Sequence, residues 1–167
     1  STHARLTFNL LEGLKLNLFG AYTYNIVENS QYLPTSVWAN GQAYKGTKKR
    51  ESLLGNMMLT YKKNWKKHFF DVLALAELQK ETYTGYYTTV SNFSTDKFGY
   101  NNLQAGALRL WEGTNSYYDQ PRLASFMGRF NYTYADRYVL TLNARTDASS
   151  KFGANHKWGF FPSASAA

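Results

Sequence analysis

Apolar and polar residues alternate with a period of two along most of the chain. Between residues 14 and 24 the even positions are all apolar, aromatic or glycine, whereas the odd positions are mostly polar. This period is typical of a β-strand whose two faces meet different surroundings, and it argues against a helix. The same pattern recurs at 5–10, 53–61, 70–79, 125–134 and 138–145, and a further strand is predicted near Gly159. The pattern predicts about seven strands in an all-β, antiparallel arrangement.

The predicted connections between these strands alternate between short and long. Short turns are predicted at 12–13, 62–67 and 135–137, and long connections at 27–50, 91–121 and 151–158. Outer-membrane barrels alternate short periplasmic turns with longer extracellular loops, whereas a soluble β-sandwich has no reason to sort its connections by length. A tilted strand needs only about 9–11 residues to cross the hydrocarbon, so a single strand over 68–90 would extend beyond it. The alternation therefore favours a transmembrane β-barrel.

Composition narrows the choice further. Aromatic residues make up 17% of the 167 residues, which suits a barrel with aromatic girdles. No apolar run reaches the length of about 18 residues that a membrane-spanning helix needs, and cysteine is absent, which excludes disulfides and thiolate metal sites. The net charge of +8 suits an anionic lipid or substrate. Nucleic acid is disfavoured because no nucleic-acid-binding module surrounds the basic run at 62–67.

Aromatic residues cluster beside the short turns, where amphipathic rings suit a membrane–water boundary. We predict five membrane-interface residues on this ground: Tyr61, Trp65, Tyr132, Tyr134 and Tyr138. Ordinary aromatic pairing between neighbouring strands is the alternative. The four lysines that surround Trp65 suit a turn at the lipid headgroup layer, and a plain solvated turn is their alternative.

No residue pattern indicates catalysis or metal binding. His3, His68 and His156 share no metal-ligand spacing. Three carboxylates share a strand face and could in principle serve acid–base chemistry, but a polar lining of a barrel lumen is the favoured interpretation. They are Asp71, Glu77 and Glu81. We therefore predict a protein that is not an enzyme, with no catalytic residue, no cofactor and no metal.

Residues 125–167 carry a series of short motifs in a fixed order. The motif residues are Gly128, Arg129, Asn131 and Tyr132, then Asp136, Arg137 and Tyr138, then Arg145, Asp147, Ser149 and Ser150, and finally Phe152, Gly153, Trp158, Gly159, Phe161, Pro162 and Ser163. In order and spacing this segment resembles the SusC/RagA family of TonB-dependent transporters. Residues 1–124 match that family only in general character, and Ala148 stands where the family often has glycine.

The resemblance implies a 22-stranded barrel around an internal plug, in the outer membrane of a Gram-negative bacterium of the Bacteroidetes type. Residues 1–167 are then part of one multi-pass barrel domain, with the plug domain and signal peptide outside them. The implied function is import of oligosaccharides or peptides, with energy from TonB acting through the absent plug and N-terminal region, and with a SusD-like surface lipoprotein as a lid. A passive porin-like barrel and a soluble glycan-binding β-sandwich are the alternatives. Seven strands alone would leave unpaired edges, so we expect no stable independent unit.

Two further groups of residues are predicted as functional. Aromatic rings in the long connections suit sugar faces, although they would equally suit packing within the loops or against a lid. The predicted substrate-binding residues are Trp38, Tyr44, Trp111, Tyr117 and Tyr118. The polar strand positions are predicted to face the lumen or the plug, and they are Glu77, Gln79, Arg129 and Arg145.

Overall fold

The computed structural model describes residues 1–109, 111–153 and 157–167, which form nine antiparallel strands of one sheet and three single-turn 3-10 helices. The strands are β1 Thr2–Leu11, β2 Leu14–Leu33, β3 Gln42–Trp65, β4 His68–Phe93, β5 Gly106–Arg109, β6 Asn115–Asp119, β7 Arg122–Tyr134, β8 Tyr138–Ser149 and β9 Trp158–Ala166. The 3-10 helices are Gly99–Asn101, Leu103–Ala105 and Trp111–Gly113. The main path runs β1-β2-β3-β4-β7-β8-β9, and β5 and β6 both pair with β4. The predicted all-β antiparallel fold is confirmed, with two short strands beyond the predicted seven.

The short turns lie where the sequence predicts them, and one is tighter than predicted. Between β3 and β4 only Lys66 and Lys67 lie outside the strands, so the predicted turn at 62–67 is wrong at its start. In the β7–β8 turn, Ala135 and Asp136 both have positive φ, at 52° and 54°. Arg137 N donates to Tyr134 O at 3.1 Å, which is within the range of a backbone hydrogen bond. Two consecutive positive φ values are typical of the type I′ turn that matches the twist of a hairpin.

The long connections contain more strand than the sequence predicts. The predicted connection at 27–50 is wrong at both ends, because β2 continues to Leu33 and β3 begins at Gln42. Period-two alternation of apolar residues fades there, whereas backbone pairing between strands continues and needs no apolar face. The region 91–121 contains β5, β6 and the three 3-10 helices, and β4 forms the single long strand predicted over 68–90. Part of the predicted connection at 151–158, residues 154–156, lies outside the described residues.

The chain divides into two compact units, which we call the sheet unit and the loop unit. The sheet unit comprises Ser1–Thr23, Ser52–Glu81 and Pro121–Ala167, and the loop unit comprises Tyr24–Glu51 and Thr82–Gln120. Within the described residues, every buried hydrophobic side chain belongs to the loop unit, where Ala43, Val90 and Phe93 form a small core. The described residues of the sheet unit therefore form no buried apolar core, and their apolar side chains meet whatever surrounds the sheet.

Candidate functional site

The strand register of the sheet unit places apolar side chains on one face, which we call the apolar face. On it Val72 pairs with Phe130 and Phe130 pairs with Leu142, while on another strand pair Phe8 lies opposite Leu16. Many of these side chains are exposed, with Leu6 at 56%, Leu78 at 62% and Phe160 at 66%. An apolar surface this extensive is rare on a soluble monomer and normal on a lipid-facing sheet. No helix in the described part of the chain is both long and apolar enough to cross a bilayer.

Three of the predicted interface residues gather around one histidine at the short-turn end of the apolar face. The ring centroid of His68 lies 5.7 Å from that of Trp65, 5.9 Å from that of Tyr132 and 5.0 Å from that of Tyr134. Tyr138 pairs directly with Tyr134 across the β7–β8 hairpin. The prediction missed His68 because it treated histidine only as a metal ligand. Its even position in β4, in step with Phe70 and Val72, was the signal that would have found it.

Tyr61, the fifth predicted interface residue, lies on β3 and is 38% exposed. In the part of the chain that the structure describes, no three histidine or acidic side chains are arranged to hold a metal, and His156 lies outside that part.

A second aromatic row lies towards the other end of the apolar face. Trp158 stacks on Phe126 with a centroid separation of 6.0 Å, and it pairs with Ala148, which in turn pairs with Ala124. Ala124 is ten residues from Tyr134 in β7. At about 3.4 Å per residue and a tilt of about 40°, this separation corresponds to roughly 26 Å along a membrane normal. The apolar band of an outer-membrane barrel is about 25 Å tall, so the two rows are spaced as its girdles would be.

The opposite face of the sheet unit, which we call the polar face, carries a series of paired charges. Arg145 Nε lies 2.8 Å from Asp147 Oδ2 and 3.0 Å from Asp147 Oδ1, and Lys62 Nζ lies 3.5 Å from Asp71 Oδ2. Gln79 Nε2 donates to a carboxylate oxygen of Glu81 at 3.1 Å. Polar groups paired in this way are suited to a wall that meets water.

All four predicted lumen-facing or plug-facing residues lie on the polar face. Glu77 pairs with Ser125 and Gln79 with Leu123, while Arg129 lies between its two strand partners, Leu73 and Asn143. Arg145 pairs with Met127 on the same face. Arg129 Nε is buried and has no hydrogen-bond partner within the described residues. What these side chains face beyond the sheet stays a prediction.

A group of tyrosines occupies one strand face of the loop unit, and we call it the tyrosine patch. Tyr44 stacks on Tyr87 with a centroid separation of 6.0 Å. Tyr117 pairs with Gly85 and lies over it so closely that a Cβ at Gly85 would meet the Tyr117 ring at 2.6 Å. The guanidinium of Arg50 lies 5.7 Å from the ring centroid of Tyr83. Because Tyr83, Gly85 and Tyr87 alternate along β4, their side-chain positions share one face.

The five predicted substrate-binding residues do not form one cluster. Tyr44 and Tyr117 both belong to the tyrosine patch, whereas Tyr118 points to the opposite strand face, where its hydroxyl accepts a hydrogen bond from Gln120 Nε2 at 2.8 Å. Trp38 is 52% exposed in the β2–β3 connection, and Trp111 is 91% exposed in a 3-10 helix. The five predicted residues do not include Arg50, Tyr83 and Tyr87 of the tyrosine patch. The alternation of tyrosine and glycine over residues 83–87 was the signal that would have found the two tyrosines.

Asp96 joins two connections of the loop unit. Its carboxylate accepts hydrogen bonds from the Tyr32 hydroxyl at 2.6 Å and from Thr35, through the backbone N–H at 3.1 Å and the hydroxyl at 2.8 Å. These bonds favour the ionised carboxylate, so the Tyr32 hydroxyl and then the Thr35 groups lower the pKa of Asp96. The bond to Asp96 in turn raises the pKa of Tyr32 to about 12. The β2–β3 connection is thereby held to the segment that follows β4.

Comparison with known proteins places this arrangement in a family. No family model matches the chain. The chain is 30% identical over 160 residues to TonB-dependent receptor P3 of Formosa agariphila, and 29% identical over 163 residues to TonB-dependent receptor SusC of Bacteroides thetaiotaomicron, with 93% of the chain covered in both cases. A structure of the RagAB peptide transporter superimposes on 97% of the chain with a TM-score of 0.86 at 19% identity. The chain belongs to the SusC/RagA family of TonB-dependent receptors.

This SusC/RagA-family chain corresponds to a segment of its relatives. It spans 16% of the length of receptor P3, 15% of SusC and 18% of the RagAB chain. The ferric citrate transporter FecA in its unliganded form shares the fold over 99% of the chain, with a TM-score of 0.54 at 11% identity. The relatives are receptors and transporters rather than enzymes, in agreement with the prediction from sequence.

Proposed function

We propose that these residues form part of the barrel wall of an outer-membrane, TonB-dependent importer. The observation that carries the proposal is the separation of apolar from polar side chains, which the strand register maintains along the main path of the sheet unit. In such a wall the apolar face meets acyl chains and the polar face meets the water-filled interior or a plug. TonB would act on parts of the receptor outside these residues.

The end strands support the proposal that residues 1–167 belong to one larger barrel domain. β1 and β9 stand at the two ends of the strand order. A sheet edge in lipid would leave backbone N–H and C=O groups without hydrogen-bond partners. Each such group costs on the order of several kcal/mol in hydrocarbon. We infer that β1 and β9 pair with further strands of the same barrel.

Adjacent residues of β8 test the orientation of the wall. Because this chain has no cysteine, Leu142→Cys and Asn143→Cys are matched probes in a full-length receptor freed of any other cysteine. A nitroxide attached at position 142 should collide mainly with oxygen dissolved in lipid, and one at position 143 mainly with a water-soluble nickel chelate. Equal nickel accessibility at both positions would contradict the wall.

For the substrate, we propose an oligosaccharide or a peptide that contacts the tyrosine patch. Tyrosine rings offer flat apolar surfaces with a polar hydroxyl at one end, and a guanidinium beside them can bond carbonyl or hydroxyl oxygens. RagAB, whose structure shares this fold, is a peptide transporter, which supports a peptide as the substrate. The further predicted contacts are Trp38, Trp111 and Tyr118. A SusD-like surface lipoprotein as a lid remains part of the proposal.

Uptake by cells that express the full-length receptor separates these substrates. Fluorescent peptides and fluorescent oligosaccharides are compared in wild type, Tyr87→Ala and Tyr86→Ala, where Tyr86 is the neighbouring tyrosine on the opposite strand face. Tyr87→Ala should reduce uptake of one substrate class, and Tyr86→Ala should not. Deletion of TonB should abolish uptake, whereas uptake that continues without TonB would indicate a passive porin-like barrel.

A further inference from the structure

An open groove runs along the apolar face near the second aromatic row. Its volume is about 830 Å³, and its floor is formed by small residues, among them Gly20, Gly55 and Ala124. Larger side chains stand beside them, including Leu53, Leu78 and Trp158. A smaller groove of about 360 Å³ adjoins it on the same face and shares Gly55 and Leu78 with it. A third groove, of about 520 Å³, shares Met57, Ala76 and Phe126 with the second. The apolar face thus carries a furrow that runs from the second aromatic row towards the middle of the band.

Three basic residues line the end of this furrow, and we call them the basic row. Lys80 pairs directly with Arg122, and both occupy positions of the apolar face, one step beyond Leu78 and Ala124. Arg122 N donates to Ser150 Oγ at 2.9 Å, and Ser149 N donates to Lys157 O at 3.2 Å, which brings the β8–β9 end of the sheet to the same place. Among the described residues that line the groove, these three are basic and none is acidic.

Lysine or arginine on the lipid face of a barrel is costly at mid-membrane and nearly neutral at the boundary. The basic row follows directly after the apolar band, so in a membrane it lies at a headgroup layer. Long connections mark the extracellular side of such barrels, and the basic row is at the end of the strands from which the β8–β9 connection departs. The headgroup layer on that side belongs to the outer leaflet.

We propose that the furrow and the basic row form a binding site for a phosphorylated, multiply acylated glycolipid of the outer leaflet. The phosphate is held by Lys80, Arg122 and Lys157, and an acyl chain lies in the furrow over Gly55 and Ala124. Charge complementarity selects this occupant, because a neutral lipid or an apolar protein segment offers no anionic group to the three cations at the end of the furrow. The inference rests on the membrane placement proposed above.

Native mass spectrometry of the purified full-length receptor with added lipid A tests the site. Each cation near a charged lipid is worth about a fivefold change in affinity, so Lys80→Ala/Arg122→Ala/Lys157→Ala should bind lipid A about a hundredfold more weakly. The matched control is Lys63→Ala/Lys66→Ala/Lys67→Ala, which removes the same charge at the short-turn end and should bind as wild type does. Dephosphorylated lipid A and phosphatidylglycerol should both bind more weakly than lipid A.

A second variant tests the furrow while keeping all three charges. Apart from Gly55 and its two chain neighbours, no described residue has an atom within 4 Å of a Cβ placed at Gly55, so Gly55→Leu fills the furrow without a backbone clash and should also weaken lipid A binding. The inference is overturned if this variant or the triple variant of the basic row binds lipid A as wild type does. It is also overturned if the short-turn control loses as much binding as the triple variant, or if phosphatidylglycerol binds as tightly as lipid A. Mobility of unboiled protein on a denaturing gel reports barrel formation. A wild-type receptor that forms a barrel but binds no lipid A overturns only this inference, whereas one that forms no barrel overturns the proposed wall as well.

Discussion

The Nδ1 atom of His68 lies 2.7 Å from the hydroxyl oxygen of Tyr132, on the neighbouring strands β4 and β7. The two rings also stack, at a centroid separation of 5.9 Å. His68 therefore joins the aromatic row at the short-turn end through both a hydrogen bond and ring contacts. Tyrosine in such a row usually bonds water or a lipid headgroup through its hydroxyl. The hydroxyl of Tyr132 instead bonds a side chain of the same sheet.

Removal of that hydroxyl should destabilise the barrel by a small, measurable amount. A typical hydrogen bond contributes about 1 kcal/mol, so Tyr132→Phe should lower the free energy of unfolding of the full-length receptor by about that value. Urea-induced unfolding in lipid vesicles measures the change. Tyr138→Phe removes a hydroxyl from the adjacent strand and should have a smaller effect. If the two variants are equally stable, the His68–Tyr132 bond contributes nothing specific.

The two faces of β7 should respond differently to the same charged residue. Phe130 belongs to the apolar face and Asn131 to the polar face, and both lie near the middle of the strand. Arginine on the lipid face near the bilayer midplane costs about 2–4 kcal/mol, so Phe130→Arg should destabilise the barrel by that amount. Asn131→Arg should be close to neutral. Folding yield into vesicles and the midpoint of urea unfolding report the difference, and equal effects would contradict the assignment of the faces.

The sheet unit was predictable from the sequence because its strands meet different surroundings on their two faces. That contrast produces a period of two in the sequence, as at Leu14, Leu16 and Leu18. The period predicts both that the segment is a strand and which side chains share a face. The loop unit lacks this contrast, so its sequence predicts a connection where the first part of β3 lies, from Gln42 to Arg50. The short strands β5 and β6 depend on pairing with β4, a partner at a distance along the chain that no local pattern reveals.

The predicted sites followed the same division. Polar strand residues such as Arg129 and Glu77 fell on the expected face, because face assignment needs only the parity of the position. The loop aromatics could not be grouped, since Tyr44 meets Tyr87 through strand register that the sequence does not encode locally. Residue type selected Trp38 and Trp111, but type alone does not bring side chains together.

Gly85 should be required for the tyrosine patch. A methyl group at this position would meet the ring of Tyr117 at 2.6–2.7 Å, so Gly85→Ala must displace that ring. We expect weaker substrate binding, measured by titration of the full-length receptor with the substrate class identified by uptake. Gly55→Ala is the matched control, because there the added methyl group meets no atom of any other described residue within 4 Å, its two chain neighbours aside. Unchanged affinity in Gly85→Ala would exclude the position of Tyr117 as a determinant of binding.

The bonds at Asp96 should make the order of the β2–β3 connection depend on pH. Because the folded-state pKa of Asp96 is lowered, its contribution is present above the unfolded pKa and is lost as pH falls through the lower folded value. The pKa of Tyr32 is raised to about 12, so its contribution is present below the unfolded pKa of about 10 and is lost as pH rises through the folded value. The connection should therefore be held most firmly between these limits, throughout the neutral range.

Hydrogen exchange at the Thr35 amide measures this order directly, because that N–H donates to Asp96 Oδ1 at 3.1 Å. Its protection, corrected for the intrinsic dependence of exchange on pH, should fall in strong acid and again above about pH 10, where an unrestrained tyrosine ionises. Asp96→Asn keeps the shape but removes the charge, and it should lower the protection at neutral pH and flatten the acid limb. The amide of Ala135 is the internal control, since it donates to the backbone oxygen of Lys67 at 2.7 Å within the sheet unit. Full protection of Thr35 in Asp96→Asn would show that the connection is held by its backbone turn alone.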